Sequence, residues 1–100
     1  MKSSMEKISL PRIITIIRGL RYSTEVSVLL AYHEDVEESD ICGLYKTPNG
    51  AYFGTCKNNK FPSGVLVPTD KDVAMDWYAA MQTKVMEFSE AFPDVQIQDA

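Results

Sequence analysis

The spacing of apolar positions divides the chain into a strand-rich first two thirds and a helical last third. Ile13, Ile14, Thr15, Ile16 and Ile17 are β-branched, and stiff side chains of this kind suit a pleated surface. They predict a strand over about 12–21. Val26, Val28, Leu30 and Tyr32 then recur at period two, which predicts a second strand over 25–33 after a turn near Tyr22-Ser23-Thr24. A rival reading exists for this region. Ser9 could cap a short helix with Pro11 in its first turn, because Ile13, Ile16, Ile17 and Leu20 also recur at helical spacing. Residues 10–33 are therefore open between strands and helices, with strands preferred.

The clearest hairpin signal is Thr47-Pro48-Asn49-Gly50. Pro48 fixes φ for a type I turn, and Gly50 can take the left-handed conformation after it. Strands over 41–47 and 51–57 follow. A three-residue loop sets Tyr45 opposite Phe53, Lys46 opposite Tyr52 and Cys42 opposite Cys56. A two-residue Asn49-Gly50 loop would shift the register by one and put the cysteines on opposite faces. Pro48 favours the first arrangement. Gly43 and Gly54 interrupt these strands and mark either bulges or a close approach of another group. Asn58 to Gly64 is dense in turn formers, Val65-Leu66-Val67 gives a short strand over 65–67, and Pro68 ends it.

Thr69 or Asp70 then caps one long helix over about 70–92, with Asp70 and Asp72 in the favourable first turn. Val73, Trp77, Met81, Val85, Phe88 and Phe92 make a stripe at spacings of three and four, and Pro93 stops the helix. Val95 to Gln98 alternates and is a candidate last strand over 95–98. The fold expected is α+β: a mostly antiparallel sheet packed on one long C-terminal helix, in a single domain over 1–100.

One helix covers one face of a sheet. Strands 13–17 and 26–32 are apolar at nearly every position, as in strands buried on both sides. Contiguous apolar patches are rarely left bare, so the second face is expected to meet another copy, most simply in a homodimer, or a partner protein.

Composition narrows the function classes. The chain of 100 residues is 45% apolar and 24% charged, ordinary for a globular domain. No apolar run approaches the ~20 residues of a membrane span. The start, Met1 to Lys7, carries Glu6 and does not read as a secretory leader, so a cytoplasmic location is expected. Net charge is −4, unevenly placed. Residues 1–24 hold Lys2, Lys7, Arg12, Arg18 and Arg21 against Glu6, whereas 25–40 hold six carboxylates and no Lys or Arg. An acidic balance argues against nucleic-acid binding, which would need Arg12, Arg18, Arg21, Lys46, Lys57 and Lys60 on one face.

No catalytic set, metal site or cofactor motif is present. Cys42 and Cys56 could bridge or act as a redox pair; in a cytosolic chain the expectation is two reduced thiols. His33 is the lone histidine, and a structural role is expected for it. The residues singled out for partner binding are the polar loop tip Lys57, Asn58, Asn59 and Lys60 and the acidic connection Glu34, Asp35, Glu37 and Glu38. Trp77, Tyr78 and Met81 are the candidates for a ligand pocket between helix and sheet. The functional expectation is a small interaction protein of inhibitor, immunity or adaptor type, and not an enzyme. Small-ligand binding is the alternative and weak nucleic-acid binding the third.

Overall fold

The computed structural model describes residues 10–100. The strand reading of the N-terminal region holds, and a turn follows Ser23 over 24–26 close to where it is expected, but a further turn divides the first strand. Residues 12–21 do not form one strand. They fold into a hairpin of β1 (Ile14–Ile17) and β2 (Leu20–Ser23), pairing Ile17 with Leu20 and Ile14 with Ser23. Arg18 and Gly19 form the two-residue turn at φ 53° and 78°, the left-handed pair that matches strand twist. Gly19 was the overlooked signal. Ser9, the cap of the rival helix, lies outside the described residues.

The remaining strands are β3 (Val28–Asp35), β4 (Asp40–Lys46), β5 (Tyr52–Lys57), β6 (Val65–Thr69) and β7 (Thr83–Lys84), in the antiparallel sheet order β6-β5-β4-β3-β7. β3 starts later than expected and runs into the acidic segment, pairing Asp35 with Asp40 and leaving only residues 36–39 as the turn. The β4–β5 register is the expected one, with Cys42 opposite Cys56, Tyr45 opposite Phe53 and Lys46 opposite Tyr52. The Gly50 amide donates to the Thr47 carbonyl at 2.9 Å. β6 continues through Pro68, which pairs with Phe53. Proline is tolerated there because β6 is an edge strand.

The long helix is not formed. Asp70 caps α1 (Lys71–Ala80), its carboxylate accepting from the Val73 amide at 2.9 Å. The helix stops at Met81. The chain then turns back as β7 along β3 and ends in the short α2 (Phe88–Ala91). A helix over all of 70–92 would run to roughly 35 Å and overhang strands of five to eight residues. A bulge in β3 gives the chain something better to bind. The register shifts between Leu29 and Ala31, and the Leu30 carbonyl accepts from the amides of Val85 and Met86 at 2.9 and 3.1 Å. Phe88 and Phe92 kept helical spacing with Trp77 and Met81, yet they fold back on Tyr78, with ring centroids 5.9 and 5.6 Å away. Residues 95–98 form no strand.

The second sheet face is covered within the chain. Tyr22 of the N-terminal hairpin packs edge-on against Phe53, centroids 5.7 Å apart, in a cluster with Tyr45 and Leu66. Ile13, Ile17 and Leu29 complete it. The other face carries Leu44, Tyr52, Ala74, Tyr78 and Phe92. The premise that nothing else in the chain covers the second face is thereby corrected. Leu30 and Ala31 are both fully buried, consistent with a bulge that turns consecutive side chains inward.

Candidate functional site

A ten-residue helix leaves part of its own sheet face uncovered. Over β4, β5 and β6 this produces a groove of about 350 Å³, walled by Trp77 and Met81 and floored by Gly54 and the Cys42–Cys56 pair, with Val65 and Val67 at the side. The lining is almost wholly apolar. Gly54 makes the wall possible: a Cβ there would lie 2.6 Å from Cζ3 of the Trp77 indole. Of the two roles open to Gly43 and Gly54, close approach is therefore the actual one. The bulge sits in β3 instead. Of the three predicted pocket residues, Trp77 and Met81 line the groove and Tyr78 does not. Tyr78 is buried beneath the helix, its hydroxyl donating to the Met86 carbonyl at 2.6 Å.

Cys42 and Cys56 form a disulfide, Cα atoms 4.1 Å apart. The expectation of two reduced thiols is corrected: the hairpin register places the sulfurs face to face at a partly exposed position. His33 stands directly across from Cys42 on β3. Its Nδ1 is buried without a hydrogen-bond partner among the described residues. Asp40 sits two residues before Cys42 on the same side of the strand, its Oδ1 3.8 Å from Cys42 Sγ. Sequence reasoning missed this neighbourhood because the β3–β4 register depends on the turn at 36–39. That turn carries no Gly, Pro or Asn, although Ser39 adopts φ 55°.

The two segments predicted for partner binding meet at one end of the sheet. Glu34 and Asp35 share a cleft of about 380 Å³ with Lys57, Asn58 and Asn59. Glu38 and Lys60 adjoin Asp40 in a neighbouring depression. Glu37 lies exposed in the turn and lines neither. Asn58 organises the loop, its Oδ1 accepting from the amides of Lys60 and Phe61 at 2.9 and 3.0 Å. Its side-chain amide donates to Asp40 at 3.4 Å. Asp40 thus joins this acidic end to the sulfur-floored groove.

The cations do not share one face. Arg12 pairs with Glu25 at 3.2 Å, and Arg18 and Arg21 sit on the N-terminal hairpin. Lys46 lies over Tyr52, at the far end of β4 from the Ile41–Lys57 pair. Among the described residues no cluster of His, Cys, Asp and Glu is placed to hold a metal ion. No helix among them is long and apolar enough to cross a membrane. Burial pushes the hydroxyls of Tyr52 and Tyr78 above the usual phenol range, with the charges of Asp94 and Glu87 adding to the two shifts respectively. Both phenols are thereby held as donors.

No family model, curated protein or solved structure matches the chain.

Proposed function

We propose that this chain is a small protein-interaction module that receives a basic, apolar-anchored segment of a partner in the groove between α1 and β4–β6. The observation that carries this reading is the junction at Asp40 between an apolar groove and a carboxylate-rich rim. Glu34, Asp35, Glu37, Glu38 and Asp40 outnumber Lys57 and Lys60 at that end. The groove offers almost no polar group to orient a polar metabolite, which favours an apolar side chain over the small-ligand alternative. The rim supplies charge complementarity, which steers encounter and rejects acidic partners.

The test is calorimetric titration with synthetic twelve-residue peptides that carry one Leu or Phe among Lys and Arg, beside acidic versions of the same peptides. Binding confined to the basic set, weakening with salt and lost in Met81→Lys, supports the reading. Equal binding of both sets, or of neither, refutes it. A metabolite panel run in parallel addresses the small-ligand alternative, because a bound ligand raises thermal stability.

A second reading, association of two copies, rests on a different observation. The outer surface of the β1–β2 hairpin leaves Ile14 and Ile16 59% and 64% exposed. This surface differs from the sheet face that the sequence pointed to. Sedimentation at rising concentration checks it, and a strict monomer would rule it out.

A further inference from the structure

The two cysteines are already ladder partners. Pairing runs unbroken from Ile41–Lys57 to Lys46–Tyr52, so the disulfide joins strands that hydrogen bonds and the packing of Leu44, Tyr45, Tyr52 and Phe53 hold together. Both cysteines are partly exposed, and both line the apolar groove. A bond of this kind can open without unfolding the chain. Its surroundings also suit the reduced form. Asp40 Oδ1 lies 3.8 Å from Cys42 Sγ, within reach of an S–H donor that only the thiol possesses. The buried, unpartnered His33 Nδ1 stands across the strand from the same cysteine. The Asp40 oxygen is thus a polar atom beside a sulfur that, while oxidised, has no proton to offer.

We infer that Cys42–Cys56 is an exchangeable redox centre, reduced in the native state by dithiols that enter through the apolar groove. The thiolate of the incoming dithiol attacks Cys56 Sγ, the S–S bond breaks, and Cys42 leaves as a thiolate that takes a proton from solvent. Cys42 S–H then donates to Asp40. The second thiol of the reductant, ionised in turn, attacks the mixed disulfide and releases Cys56, which is protonated. Two electrons pass to the protein, and the dithiol ends as its own cyclic disulfide. Stabilising the reduced form raises the potential above that of a purely structural bridge. This is also the kind of bond compatible with a reducing compartment. The inference stands independently of the partner-binding reading.

The experiment equilibrates the oxidised, full-length chain in dithiothreitol buffers of defined ratio, without denaturant, and counts thiols by alkylation and mass. Two labels per chain, with cooperative thermal unfolding retained, is the expected result. Asp40→Asn is expected to shift the equilibrium roughly threefold or more towards the oxidised form. Val67→Trp narrows the groove from a position already 47% exposed and is expected to slow reduction about tenfold, with no change once the chain is unfolded. A bridge that opens only in denaturant overturns the inference. So does reduction whose equilibrium ignores Asp40→Asn and whose rate ignores Val67→Trp.

Discussion

Gly54 and Trp77 are in such close contact that the indole occupies the space any side chain at position 54 would need. The ring stands over β5 because residue 54 has no Cβ, and the same contact forms the groove wall. Gly54→Ala is expected to push the indole outward and cost about 1–3 kcal/mol, the usual range for overpacking. Denaturant unfolding reads the stability. The fluorescence of Trp77, the chain's one tryptophan, reads the displacement.

Phe92 is the anchor of the C-terminal segment. It is fully buried, its ring 5.2 Å from Tyr52 and 5.0 Å from Phe88. Phe92→Ala is expected to cost about 3–5 kcal/mol, whereas Phe61→Ala, at a side chain 48% exposed, should stay within roughly 0.5 kcal/mol. Chemical denaturation of the two variants gives the comparison. Equal costs would mean that the segment after Met81 does not fold back.

Asp70 provides the one side-chain cap of α1. Asp70→Ala should lower stability by about 1 kcal/mol, and Asp70→Ser should restore most of it. Thermal denaturation of both variants checks the role of the oxygen as acceptor.

Beside the buried Tyr45, whose phenol is also raised by burial, the alkaline limit involves Tyr52 and Tyr78. Their hydroxyls donate to the carbonyls of Ala91 and Met86, and burial raises their pKa values above 10.0. A raised folded value means that the fold holds the proton more tightly than the unfolded chain does. The contribution is therefore complete below about pH 10, where the unfolded phenol stays protonated, and is lost as pH rises through the folded values. The denaturation midpoint should hold to about pH 9 and fall above 10, less steeply in Tyr78→Phe. A fall near neutrality would contradict this assignment.

The β4–β5 hairpin was legible, because Pro48 and Gly50 favour one turn type over the two-residue alternative and the turn type sets the register. Hence Cys42 opposite Cys56 was the favoured pairing, though their oxidation could not be read. Local signals also marked β6, although Pro68 does not end it, and a cap at Thr69 or Asp70, while the helical stripe set Trp77 and Met81 towards the sheet. Periodicity misled where two solutions share it. Val85, Phe88 and Phe92 keep helical spacing with Trp77, yet the bulge at Leu30, a tertiary feature with no local signature, draws the chain back into β7. The N-terminal turn was missed for a different reason. Gly19 sits inside a run of β-branched residues, and strand propensity outweighed a single glycine. The convergence of Glu34 and Asp35 with Lys57 and Asn58 follows from two turns placed at the same end of the sheet. Neither segment carries a local signal of the other, so their meeting had to be seen.

Emission from Trp77 during titration with basic, apolar-anchored peptides tests the docking groove most directly, because the indole is one of its walls. The account predicts a saturable shift that Met81→Lys abolishes and Asp40→Asn weakens. Unchanged emission across the basic peptides, or a shift indifferent to both substitutions, would contradict it.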